Sequence, residues 1–308
     1  MVIFTYNNFY YNSIIMKIID CFMYFDEDMV LDIRLNILDK YVSKFIVCEA
    51  NFNHNGTKRE LLFNINKFSK FRDKIIYIPL KNLPQNLKTI NNDDSKAVKN
   101  SKILDNALIR ENFQRNFLYS KIKEFNDEDL IIISDVDEIP NLDNFKYKNK
   151  ITFFEQKMFY YKFNLLHQNF SWYGSKICKK KHLQSPQWLR NIKSKKYPLW
   201  RFDILFSNTK YNNIGFEKNG GWHFTNIKTP EKIDHKMKNF LHHLEYEESG
   251  LDVKHVKKMI LEKKIFYNHN ADKRQKKWNT KVSLVLENEN FLPEYIILNK
   301  EKFKEWLD

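Results

Sequence analysis

The chain is poor in the residues that punctuate or staple a fold. Its 308 residues include six glycines, seven prolines and three cysteines. Cys21, Cys48 and Cys178 are widely spaced and odd in number, which speaks against a disulfide framework or a cysteine-type zinc site and for a reducing compartment. No G-x-x-x-x-G-K-[ST] or G-x-G-x-x-G occurs, so P-loop and dinucleotide chemistry are not expected. G-x-S-x-G and H-E-x-x-H are absent as well. Residues 1–16 read as an N-terminal extension, with Met1 and Met16 both open as the start. Its apolar residues are broken by Asn7, Asn8 and Asn12, with no basic leader and no small-residue cleavage site. The expectation is therefore neither a signal peptide nor a transmembrane segment, and a cytoplasmic protein. Arginine is scarce too, 8 of 52 basic residues. The net charge of +14 accordingly reads as a lysine-rich coding bias spread over the surface, and nucleic acid is not the expected partner. Such a field still attracts an anionic substrate such as a nucleotide diphosphate.

What is present is a core and an acidic motif. With 43% hydrophobic and 29% charged residues the chain is expected to fold as a soluble globule. Leu130-Ile-Ile-Ile133 reads as a strand buried on both faces, central in a parallel sheet. It delivers Asp135 and Asp137, which share a face if the strand stays extended, before Pro140 stops the ladder. Two carboxylates at the end of such a strand suit a hard divalent cation that keeps positions open for phosphate oxygens.

The patterns on either side predict an α/β layer. Strands are expected at Lys17–Phe22, Phe45–Cys48 and Ile75–Pro79, and helices after Asp28, around Leu61–Phe71 and over Leu104–Phe125. Residues 81–100 read as a loop. Beyond Pro140, aromatic runs at 153–154, 158–163 and 200–206 suggest strands of a mixed or antiparallel portion. Lys176–Lys196 reads as a solvated basic loop. The chain after Pro230 reads as helical and Lys-rich. The expected division is an extension to residue 16, one α/β domain over 17–250, and a helical segment over 251–308 packed on that domain.

Several other groups have the chemistry of a ligand site. Glu49 follows the second strand, where an acid can accept from ribose or base. Arg110, Gln114 and, less well, Arg115 and Glu111 share one helical face, and arginine grips diphosphate oxygens in a bidentate manner. An internal Glu–Arg pair on that helix is the simpler alternative. Gly220-Gly221 permits a sharp turn and close approach before Trp222 and His223, and His223 could complete a metal shell or contact phosphate.

Taken in order, these motifs resemble glycosyltransferase family 17, the β-1,4-mannosyl-glycoprotein 4-β-N-acetylglucosaminyltransferases. The resemblance rests on Asp20-Cys-Phe-Met-Tyr-Phe25, Phe45-Ile-Val-Cys-Glu-Ala-Asn51 with His54 and Gly56, and Arg110-Glu-Asn-Phe-Gln-Arg-Asn116. Ile133-Ser-Asp-Val-Asp-Glu-Ile-Pro140 and Gly220-Gly-Trp-His-Phe-Thr225 complete it, over roughly residues 17–245. It implies a GT-A-like Rossmann-type sheet, mostly parallel, and an inverting transfer of N-acetylglucosamine or a related hexose from a UDP-sugar to a glycan hydroxyl. Mannose-containing glycans are among the acceptor candidates. The resemblance also implies a divalent cofactor, Mn2+ or Mg2+. Asp135 and Asp137 match the family's D-x-D, with His223 in the metal set, and Glu49, Arg110, Gln114, Arg115 and Asp135 fall on the donor side. Glu217 and Glu245 are candidates for the catalytic base because they flank the Gly-Trp-His segment, and Trp172 and Trp222 for stacking on the acceptor. Two rival readings are a D-x-D phosphohydrolase and a non-catalytic basic nucleic-acid-binding protein. Against the first, Glu138-Ile139 stands where a small residue and Thr are usual.

Overall fold

The computed structural model describes residues 16–198, 200–269, 277–278, 280 and 282–308; the predicted extension thus lies, except for Met16, outside the described residues. The first half is strand–helix alternation: β1 (Ile18–Met23), α1 (Asp28–Leu38), β2 (Lys44–Ala50), a 3-10 segment (Ile65–Lys74), β3 (Ile75–Leu80), α2 (Lys96–Phe117), α3 (Tyr119–Ile122) and β4 (Leu130–Asp135). After it come β5 (Glu138–Pro140), β6 (Ile151–Phe154), β7 (Gln156–Tyr160), β8 (Leu165–Trp172), β9 (Lys176–Lys179), α4 (Pro186–Asn191), β10 (Ile214–Glu217) and β11 (Gly221–Thr225). The chain closes with α5 (Pro230–Asn239), α6 (His243–Glu248), α7 (Val253–Leu261), β12 (Val285–Leu286), α8 (Glu294–Leu298) and α9 (Lys300–Phe303).

Two mixed sheets and their helices make an α/β fold. The larger sheet runs β10-β6-β9-β4-β1-β2-β3. Its β4-β1-β2-β3 portion is parallel throughout, and β9 runs against both β4 and β6. Period-two alternation buries both faces: Phe22, Val47 and Ile132 enter one core, while Cys21, Ile46, Ile131 and Ile133 enter the other. The smaller sheet runs β12-β8-β7-β11-β5. Through β12, and through α8 against α1, the C-terminal segment packs on the same body.

Several local expectations are corrected. The helix predicted over 104–125 begins at Lys96, where the Ser95 side chain accepts from the Val98 N–H, and it breaks at Leu118. The loop over 81–100 is shorter accordingly. The segment predicted as a helix over 61–71 is a 3-10 turn over 65–74. Lys176–Lys196 is not a solvated loop. Ile177 and Cys178 are fully buried, and the Lys176 ammonium, sunk in the core, donates to the carbonyls of Arg190 and Ile192. An interior lysine is tolerated where carbonyl oxygens receive its protons. Its pKa falls to about 7, chiefly from burial and then from the neighbouring Arg190. Residues 200–206 form no strand; a single 3-10 turn spans Phe202–Ile204, and its large side chains face outward.

Candidate active site

The two aspartates reach one place by a turn, not by the pleat. β4 ends at Asp135, Val136-Asp137 turns the chain, and β5 departs into the smaller sheet. The turn is fixed by Arg34 of α1, whose guanidinium donates to the carbonyls of Asp135, Val136 and Glu138 at 3.1, 3.3 and 2.7 Å. Opposite, Gly221 has φ +128°, and a Cβ there would lie 2.1 Å from the Ile139 carbonyl oxygen. Only glycine lets β11 close on β5. That pairing sets His223 beside Glu138 in register and brings its ring to Asp137, with Nε2 3.7 Å from Oδ1.

These groups line a cavity of about 430 Å3 at the carboxyl ends of β1, β2 and β4, where open α/β sheets bind their ligands. One wall is ionic. Asp135 accepts from Arg115 at 3.2 Å and from Arg190 at 3.0 Å. Burial by itself would raise its pKa, but the two guanidinium groups outweigh it and hold the carboxyl well below the usual range. Asp137 differs. Its carboxylate makes no hydrogen bond within the described residues, and Lys236 of α5 stands 3.6 Å from its Oδ2. Burial dominates there, and the pKa is raised despite Lys236 and His223. The other wall is aromatic, with Trp172, Tyr160, Phe266, Tyr267, His269 and Trp278. Trp172 stacks on His223 with ring centroids 5.1 Å apart and donates from Nε1 to Glu138.

Not every predicted group faces this cavity. Asp135, Asp137, His223, Gln114 and Arg115 do, as does Trp172. Arg115 also makes the internal pair with Glu111 at 2.7 Å. Arg110 is not on the lining; it donates to the His54 carbonyl and packs over Gly56, bracing the loop after β2. Glu49 is fully buried beside the cavity, where its oxygens accept from Arg59, the Leu62 and Phe63 N–H groups and the Tyr77 hydroxyl. Glu217 lies on the edge strand β10 and lines a separate polar recess with Lys146 and Lys148. Glu245 is off the lining, with Oε1 3.5 Å from Nδ1 of His242, which is on it. Trp222 points away and donates to the Phe291 carbonyl.

Lys236, Glu27 and Glu138 escape a reading of the sequence. The signals Thr229-Pro230 do predict a helix start there, with Thr229 accepting from the Lys232 N–H. Nothing distinguishes Lys236 from its neighbouring lysines. Glu27 loses water on burial, which would raise its pKa, yet Lys228, Lys236 and the Asp26 N–H bring it down to about 2. A carboxylate whose folded pKa lies below its unfolded value adds stability above the unfolded pKa, and that stability is lost as pH falls. Unfolding on acidification is therefore expected to gain a contribution between about pH 4.5 and pH 2. Melting temperatures across that range should fall less steeply for Glu27→Gln than for the parent.

A cavity with one ionic and one aromatic wall at the strand ends of an α/β sheet defines the class: a protein with an enzyme-type ligand site. The sequence profile described as glycosyltransferase family 17 matches residues 6–307, and the chain belongs to that family. It is similar to the β-1,4-mannosyl-glycoprotein 4-β-N-acetylglucosaminyltransferases of Homo sapiens and Rattus norvegicus, each 29% identical over 122 residues. The Mus musculus protein of the same name is 28% identical over 122 residues. The aligned stretch is 37% of this chain and spans 20% of the length of each of these relatives.

Proposed function

We propose that the protein is an inverting glycosyltransferase of GT-A type. It would move N-acetylglucosamine, or a related hexose, from a UDP-sugar to a glycan hydroxyl with a divalent cation. The observation that carries this reading is the division of labour within one cavity. Asp137 and His223 keep donor atoms uncommitted, while Arg115, Arg190 and Lys236 supply fixed positive charge around them.

The donor set suits Mn2+ or Mg2+. Among the described residues the Asp137 carboxylate makes no hydrogen bond, with only the ion-pair contacts of Lys236 and His223 at 3.6 and 3.7 Å, and the buried Nδ1 of His223 has no partner. Among the described residues no group of three or more His, Cys, Asp and Glu side chains gathers as a metal cluster. Two protein ligands with the remainder left to diphosphate oxygens and water is the usual economy of a magnesium-type site. Asp137 and His223 would hold the ion, with Asp135 next to it and already engaged by the arginines. When bound, the cation supplies neutralisation of the charge that grows on the departing UDP.

The chain's own groups do the rest. Arg115 and Arg190 are held rigidly by Glu111, Asp135 and Glu138, so their charge faces the leaving group without reorganisation. The aromatic wall would take the apolar faces of sugar rings and exclude water. Glu27, Glu111, Asp135 and Glu138, which also line the cavity, are each engaged by a cation. The proton of the acceptor hydroxyl then falls to His242, oriented through Nδ1 by Glu245.

Thermal-shift screening with nucleotide sugars, with and without Mn2+, tests the reading. One UDP-sugar is expected to raise the melting temperature in a metal-dependent way. No shift with any UDP-sugar, with or without metal, would sink it.

A further inference from the structure

The segment from Trp200 to Phe206 joins α4 to β10 and has no part in the cavity. Its large apolar side chains are turned out: Trp200 is 75% exposed, Phe202 77%, Leu205 78% and Phe206 89%. Single exposed hydrophobics, such as Leu261 and Leu298 elsewhere on the protein, need no explanation. Four within seven residues form a patch.

The patch stands on a built base. The Lys193 N–H donates to the Thr209 carbonyl at 2.9 Å and closes the foot of the loop. Inside it, Asp203 is chelated by Arg201 at 2.8 and 2.6 Å and by Lys210 at 2.6 Å, over the buried Tyr197. The polar side of the loop is therefore satisfied internally, and the apolar side has none of the described residues packed upon it.

Charge identifies what covers it. Asp203 is the only acid between Lys193 and Lys210, and two cations already neutralise it. Lys193, Lys195 and Lys196 are exposed and have no carboxylate within 4 Å among the described residues. Tryptophan, phenylalanine and leucine at the tip of a loop with lysines on its shoulder is the composition that seats in the headgroup region of an anionic bilayer. A second copy of the chain fits less well, because it would bring the same lysines, and a net charge of +14, against themselves.

We infer that the Trp200–Phe206 loop is a membrane-docking element. It inserts its aromatic tip into the interface of an anionic lipid surface while Lys193, Lys195 and Lys196 contact the headgroups. Arg190 on the cavity wall lies three residues before Lys193, so docking holds the site close to the lipid. The proposal stands independently of the reaction assigned to the cavity.

Sedimentation of the full chain with equimolar phosphatidylcholine–phosphatidylglycerol vesicles tests it, beside vesicles of phosphatidylcholine alone. The parent is expected to pellet with the anionic vesicles and to bind them less as salt rises. Phe202→Ser with Phe206→Ser removes no packed contact and should weaken vesicle affinity by about tenfold or more, with an unchanged circular dichroism spectrum. Lys195→Glu with Lys196→Glu should weaken binding to anionic vesicles by a similar factor. Absence of binding to anionic vesicles overturns the proposal. So does unchanged binding by the double serine variant, which would mean that diffuse surface charge does the work. A parent that self-associates through the patch, and loses this in the serine variant without binding vesicles, assigns the surface to a second copy instead.

Discussion

Asp137→Asn is expected to lower sugar transfer by at least about 10^3-fold while the protein melts no lower than the parent. The two halves of this result have one cause. The Asp137 carboxylate is buried and has no hydrogen-bond donor among the described residues, so the fold gains little from its charge. A pKa raised on folding means that the ionised group works against stability as pH rises through the interval above its unfolded value. A permanently neutral amide of the same shape removes that cost, and the loss of a partner for Lys236 is limited by Glu27, 3.6 Å away on its other side. Asp135→Asn should behave differently. It leaves Arg115 and Arg190 without their shared carboxylate, so stability falls together with activity. UDP release and differential scanning fluorimetry on the two variants separate the roles. Near-normal turnover in Asp137→Asn would remove this residue from the chemistry.

The contrast between these neighbours marks the limit of what the sequence discloses. Four apolar residues before an acidic pair are legible, because burial on both faces of a strand leaves no place for polar side chains. That Asp135 goes to two arginines and Asp137 to the cavity beside Lys236 and His223 is not legible, since the cations come from α2, α4 and α5, distant in the chain. Glu49 shows the same blind spot from the other side. Its position after β2 suits a ligand contact, but Arg59, two N–H groups and Tyr77, 10 to 28 residues further along the chain, reach its oxygens only once the chain is folded. The sequence K-I-C-K at β9 reads as basic loop because lysine is rarely interior, and the carbonyls of Arg190 and Ile192 that make it tolerable are tertiary. The Trp200–Phe206 run misleads in the opposite sense. Aromatic residues favour strands by packing on a half-buried surface, and here the described residues offer them no surface to pack on.

Arg34→Ala is expected to be the most damaging single change to the fold, costing about 3–5 kcal/mol or preventing soluble expression. Both Arg34 and Asp20 are 0% exposed, and they pair through two hydrogen bonds of 2.7 and 2.6 Å. The same guanidinium donates to the Ser134 hydroxyl at 2.5 Å and to the three carbonyls of the turn between β4 and β5. Alanine would strand a carboxylate in the interior and leave those oxygens without a donor, which costs far more than the net worth of the pair when intact. Asp20→Asn should cost less, because the guanidinium keeps its carbonyl partners and retains one of the two oxygens that accept from it at residue 20. Arg34→Ala paired with Asp20→Leu should recover part of the loss, since the uncompensated charge is then gone. Transfer should not recover with it, because the turn that presents Asp137 has lost its donor. Urea denaturation of the single and double variants, with activity measured on each folded sample, checks both statements; a double variant as active as the parent would show that the turn holds its shape without Arg34.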